Sequence, residues 1–145
     1  MPSSNRDDAA GCPAANKPDG GRGANRDAAA FLAISREVFA PLYPYYADWF
    51  LKDSGLTGGV CLDLGCGGGQ LGLSVAAASD CFAVLLDQSP AMLQAATEAA
   101  AEWGLAARAG SLAADVHALP LPDGCVDLAV SRGSIMFWKD LPRAF

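Results

Sequence analysis

Val60-Cys61-Leu62-Asp63-Leu64-Gly65-Cys66-Gly67-Gly68-Gly69 is a short apolar run that ends in glycines. Val60 to Leu64 reads as a buried strand, entered through the turn signal Thr57-Gly58-Gly59. The glycines allow a sharp turn and let a ligand approach the backbone, while the helix that follows offers free N–H groups at its start. Leu71, Val75 and Ala78 recur at helical spacing and are expected to face inward.

Working outward, Phe82 to Leu86 does not alternate with polar residues and reads as a second, fully buried strand. Ser89 can cap a helix whose first position is Pro90, with Met92, Ala96, Ala99 and Trp103 on one face and Gly104 as its stop. A third strand near Ala109 to Ala113 is needed to keep the alternation. Pro120, Pro122, Asp123 and Gly124 make a loop, Val126 to Val130 a fourth strand, and Asp140-Leu141-Pro142 the start of another helix. Upstream, Phe31, Ile34 and Val38 fall at helical spacing until Pro41 and Pro44 interrupt. A short helix then carries Tyr46, Trp49 and Phe50 on one face and stops at Gly55. There are no internal repeats. Strand alternating with helix predicts an α/β fold of Rossmann-like type: a doubly wound parallel sheet in a three-layer α/β/α arrangement, binding ligands at the carboxyl ends of its strands.

The chain has 145 residues and a net charge of -6, room for one domain. Residues 1–30 contain no Leu, Ile, Val or aromatic side chain, so they are expected to form a disordered tail, with the folded domain at 31–145. The tail's charges cancel, which leaves the folded part acidic and argues against a nucleic-acid partner. No apolar run is long enough to span a bilayer and no signal peptide is visible, so no membrane partner and a cytoplasmic location are expected. The five cysteines form no C-x-x-C pair, and neither a disulfide framework nor a metal site is suggested.

Asp87 ends the second strand about twenty residues beyond Gly67, where a carboxylate can accept hydrogen bonds from both hydroxyls of a ribose. The pair predicts a bound nucleoside. Gly67, Gly69 and Gly72 also satisfy the dinucleotide fingerprint, so an oxidoreductase half-domain that binds NAD stays open. Two features weigh against it. Asp63 would repel a pyrophosphate but suit an amino group or a sulfonium, and no Arg or Lys lies between Gly58 and Gly104. A P-loop is excluded by the missing Gly-Lys-Ser/Thr.

With these residues in place, Asp63 to Gly69 resembles motif I of class I S-adenosylmethionine-dependent methyltransferases, and Leu86 to Leu93 the segment that follows it. Asp115-Val116, Leu119-Pro120 and Asp127 to Arg132 resemble that family's third and fourth strand ends. The resemblance implies S-adenosyl-L-methionine as cofactor, methyl transfer to a small-molecule acceptor, and a sheet of about seven strands. The sequence shows signals for only four of these, so the chain is expected to be a C-terminally truncated fragment that self-associates through an exposed sheet edge. A noncatalytic S-adenosylmethionine-binding module is the remaining alternative.

Position by position, the resemblance implies that Gly65, Cys66 and Gly67 pack against the methionine and ribose portions, Gly69 completing the loop, with Asp63 near the amino group. Asp87 would hold the ribose, Gln88 border the adenine, Asp115 accept from the exocyclic amine, the Val116 amide reach the ring, and Ser131 lie beneath the sulfonium. Tyr43 and Tyr46, upstream of the loop, and Phe137 and Trp138, after the fourth strand, are expected to shape the acceptor side. No catalytic residue is identified. Cys66 reads as a small residue chosen for fit, and His117 as a surface residue that no sequence neighbour orients.

Overall fold

The computed structural model describes residues 23–144. The elements run α1 (Gly23–Glu37), α2 (Leu42–Ser54), β1 (Gly58–Leu64), α3 (Gln70–Ala78), β2 (Asp80–Asp87), α4 (Pro90–Glu102), β3 (Ala109–Ala113), β4 (Leu128–Val130) and α5 (Leu141–Ala144), with a 3-10 turn at Ile135–Phe137. All strand pairs are parallel, in the order β3-β2-β1-β4. The chain steps outward from β1 to β3 and then crosses back to the far side of β1. The reversal between β1 and β4 is the switch point at which such sheets bind ligands.

Side-chain alternation sorts the strands onto two faces. Cys61, Cys81, Ala83 and Leu85 meet α2, α3 and α4, which lie side by side with α3 in the middle. That position explains why α3 is buried almost throughout, Gln70 and Ser74 included. Leu62, Leu64 and Leu86 point the other way, into a cluster completed by Val116, Leu121, Val126, Trp138 and Ala144. The second face is therefore covered by the loop at 114–127 and by the short α5. Leu73, Leu85 and Leu86 lose essentially all contact with water, worth about 1.5–3 kcal/mol each.

Local chemistry sets the helix ends. The Ser89 hydroxyl accepts the Met92 N–H at 3.4 Å, with Pro90 at the first helical position. Gly55, left-handed at φ 69, donates its N–H to the Leu51 carbonyl at 2.9 Å. Asp140 accepts the Arg143 N–H at the start of α5.

The structure departs from expectation at several points. α1 begins at Gly23, within the stretch expected to be a tail; residues 1–22, with Cys12, lie outside the described residues. Ala-rich sequence is a good helix former even without large apolar side chains. Pro44 lies not between the first two helices but in the first turn of α2, where its missing N–H has no intrahelical partner to lose. α2 buries Tyr43 and Ala47 rather than Trp49. Phe82, Trp103 and Ala78 face outward, and β4 is confined to Leu128–Val130.

Candidate functional site

A cavity of about 440 Å³ opens at the carboxyl ends of β1, β2 and β4, with residues of α1 and α2 forming part of its wall. The loop after β1 forms its floor. Gly65 has φ +69, and a Cβ there would run into the Ser134 side chain. The Cys66 N–H donates to the Leu86 carbonyl at 2.8 Å, and the Gly67 N–H donates to Asp87 Oδ2 at 2.9 Å. The other Asp87 oxygen accepts the Ser89 N–H at 2.9 Å. Each oxygen has one partner, and a carboxylate oxygen can accept more than one.

Asp63 is buried, with Oδ2 accepting the Gly72 N–H at 2.9 Å. Gly72 is the third residue of α3, so Asp63 caps an otherwise unpaired donor. The approach is close: a Cβ on Gly72 would sit 2.7 Å from a Leu85 methyl and 3.0 Å from the Asp63 Cβ. Burial raises the Asp63 pKa to about 7, opposed by the Gly72 N–H and reinforced by Asp87. Near neutral pH this acid is divided between its two forms, which weakens the repulsion of a pyrophosphate expected from sequence. It also poises Asp63 to ionise beside a cationic group.

Burial likewise drives the Cys66 thiol far up, with Asp63 and Asp87 adding to the shift, and Sγ rests 3.4 Å from the Gly67 carbonyl oxygen. Such a shift opposes the thiolate form that a nucleophile needs.

Of the residues expected at the site, Asp63, Gly65, Cys66, Gly67, Asp87, Gln88, Val116, Tyr43, Phe137 and Trp138 line the cavity. Gly69, Asp115, Ser131 and Tyr46 do not. Gly69 caps α3 in a left-handed conformation. Ser131 Oγ lies 3.0 Å from the Leu64 carbonyl oxygen and 2.7 Å from Ser134 Oγ, tying the end of β4 to β1. Asp115 is turned to His117, accepting its backbone N–H at 2.9 Å and lying 2.6 Å from Nδ1. Those contacts, the backbone N–H first, hold its carboxyl below the usual range.

His117 is accordingly not the unoriented surface residue expected. Its side chain is 16% exposed, it lines the cavity, and Nε2 accepts the Asp140 N–H at 3.3 Å. An accepting Nε2 leaves the proton on Nδ1, aimed at Asp115. Sequence reasoning also passed over Arg132, Ser134 and the α1 residues Phe31 and Ser35, all of which line the cavity. Ser131-Arg132-Gly133-Ser134 directly follows a strand's carboxyl end, which is the signal that could have found them.

A glycine loop and an acid at adjacent strand ends, flanking a cavity at the switch point of an α/β sheet, are the arrangement that nucleoside-binding domains use. The family described as methyltransferase domain matches residues 61–145, and the chain belongs to that family. A solved structure from Methanococcus maripaludis, described as an S-adenosyl-L-methionine-dependent methyltransferase, is 38% identical over 83% of this chain and 55% of its own, with a TM-score of 0.80. The [4+2]-cyclase SpnF is 32% identical over 59% of this chain and 32% of its own, with a TM-score of 0.55. The geranyl diphosphate C-methyltransferase of Streptomyces coelicolor A3(2), solved with S-adenosyl-L-homocysteine, shares the fold at 20% identity and a TM-score of 0.62, over 69% of this chain and 38% of its own. This chain thus spans about half or less of the solved structures it resembles. No curated protein matches it. Membership of the family implies use of S-adenosylmethionine. Among the described residues no helix is long and apolar enough to cross a membrane, and no cluster of ligating side chains suggests a metal.

Proposed function

We propose that the chain binds S-adenosyl-L-methionine in this cavity and serves methyl transfer to a small-molecule acceptor. The observation that carries the reading is the hydrogen bond from Gly67 to Asp87, which joins the loop to a carboxylate at the neighbouring strand end. The residues fit the cofactor. Asp87 keeps acceptor capacity for ribose hydroxyls, Gln88 and Val116 border the space beside it for an adenine, and Asp63 offers a carboxylate to the amino group. Asp115 holds His117 through Oδ1 alone, so its carboxylate keeps acceptor capacity for an adenine amine, as Asp87 does for the ribose.

When bound, the cofactor supplies an electrophilic methyl group on a sulfonium, so the acceptor needs alignment rather than a protein nucleophile. Alignment of that kind lowers a barrier by about 7–11 kcal/mol. Tyr43, Phe137 and Trp138 would flank the acceptor and exclude water, and the Ser131–Ser134 pair would fix the floor beneath it by holding the Leu64 carbonyl.

Calorimetric titration with S-adenosylhomocysteine, with and without NAD, tests the reading. Saturable heat that NAD does not displace is expected. Silence with S-adenosylhomocysteine and saturation by NAD would overturn the cofactor assignment.

A further inference from the structure

Arg132 follows β4 into the cavity, and its guanidinium carbon lies over three aromatic rings, 4.3 Å from the Phe39 centroid, 5.2 Å from Tyr43 and 5.5 Å from Tyr46. Nη1 donates to the Tyr43 hydroxyl at 3.5 Å, Tyr43 lies 2.8 Å from Ser35 Oγ, and Ser35 donates to Gln70 Oε1 at 3.3 Å. Because Ser35 spends its proton on Gln70, its oxygen is left to accept from Tyr43, whose own oxygen is left for Arg132. The relay runs one way, through three buried side chains, and fixes where the guanidinium sits.

Among the described residues no carboxylate pairs with Arg132, although Asp27, Asp63 and Asp87 line the same cavity. It is also the only Lys or Arg among the described cavity residues. A half-buried cation held by rings and one hydroxyl keeps a fork of N–H donors that matches a carboxylate in both spacing and charge. A doubly charged phosphate would call for a second cation.

The order along the sheet edge narrows whose carboxylate it is. Asp87 ends β2, Asp63 lies on β1, and Arg132 stands past β4 on the other side of β1. With ribose at Asp87 and the amino group at Asp63, Arg132 stands on the opposite side of β1 from the ribose, so a carboxylate there belongs either to the acceptor or to the amino-acid end of the cofactor. We propose that Arg132 binds a carboxylate carried by the methyl acceptor, which makes the substrate a small organic acid; this rests on the cofactor assignment above.

The test uses the full chain as wild type, Arg132→Gln and Arg132→Lys. Calorimetry first compares S-adenosylhomocysteine with 5′-methylthioadenosine, which lacks the amino-acid carboxylate. Acetate, benzoate and phenylacetate, with phenylacetamide as the neutral control, are then titrated into the chain saturated with S-adenosylhomocysteine and followed by NMR. At least one acid is expected to bind about tenfold more tightly than the amide, a gap of about 1.4 kcal/mol. That preference should vanish in Arg132→Gln and fall in Arg132→Lys, with S-adenosylhomocysteine affinity held within about threefold in both. Arg132→Lys keeps the charge over the rings, so it serves where the neutral variant does not fold. Absence of an acid preference in the wild type, or its survival in Arg132→Gln, overturns the proposal. So does a tenfold loss of S-adenosylhomocysteine with 5′-methylthioadenosine unaffected, which would give Arg132 to the cofactor's own carboxylate. Failure of the wild type to bind S-adenosylhomocysteine at all would instead strike the cofactor assignment, before any variant is compared.

Discussion

The Asp87 carboxylate bridges the Gly67 and Ser89 N–H groups, 2.9 Å from each, and so joins the glycine loop to the start of α4 through one side chain. A residue that both shapes the loop and lines the cavity would contribute to ligand binding twice.

Asp87→Ala is therefore expected to weaken S-adenosylhomocysteine binding at least about tenfold, since a hydrogen bond to a charged group is worth about 1.5–3 kcal/mol. It also leaves two loop donors without their partner, so the melting temperature should fall. Equilibrium dialysis giving an unchanged dissociation constant would refute the ribose assignment.

Asp63 predicts a pH dependence. Its carboxyl titrates near 7 in the folded chain against 3.8 as a free group, so the folded state binds its proton more tightly than the unfolded one. The associated stability is complete below about pH 4 and drains away as the pH rises through about 7. Thermal melts should show the wild type losing ground relative to Asp63→Asn between those limits, because asparagine can still accept the Gly72 N–H and carries no charge. Parallel melting curves for the two proteins from pH 4 to 8 would contradict the burial of a titrating acid at this position. Saturation with S-adenosylhomocysteine should lessen the loss, since its ammonium favours the ionised form.

Gly65→Ala should close the floor of the cavity. A left-handed backbone costs an ordinary residue about 1–2 kcal/mol, and the added methyl meets Ser134. Binding should drop at least about tenfold with the far-UV circular dichroism of the sheet retained. Recovery of affinity in the double variant Gly65→Ala, Ser134→Gly would trace the loss to that collision.

Cys66 should be chemically quiet. With its thiol pushed far above the usual range by burial, modification by a maleimide at pH 8 is expected to be slow, and Cys66→Ala should keep cofactor affinity within about threefold. Rapid labelling, read by mass spectrometry of the peptide, would show an exposed thiolate instead.

Much of this architecture is legible in the sequence. Apolar runs ending in glycine or aspartate marked β1 and β2, and strand-helix alternation alone located β3 at Ala109–Ala113. What escaped followed from tertiary context. Trp49 and Phe82 carry large apolar side chains yet face outward, because the smaller Ala47 and Ala83 fit the tight helix-sheet contacts. His117 is oriented by Asp115, two positions before it, through one carboxylate oxygen, a local contact that no periodicity reveals. The start of α1 was hidden because alanine favours a helix without leaving an apolar stripe to detect.

That helix has a mechanical consequence. Phe31 and Ser35 put α1 directly against the space a ligand would fill, and a Cβ on Gly68 would meet Leu32 of the same helix. Occupant and helix therefore brace each other: a tightly held guest should slow amide exchange along α1, and whatever pries the helix loose should shorten the guest's residence.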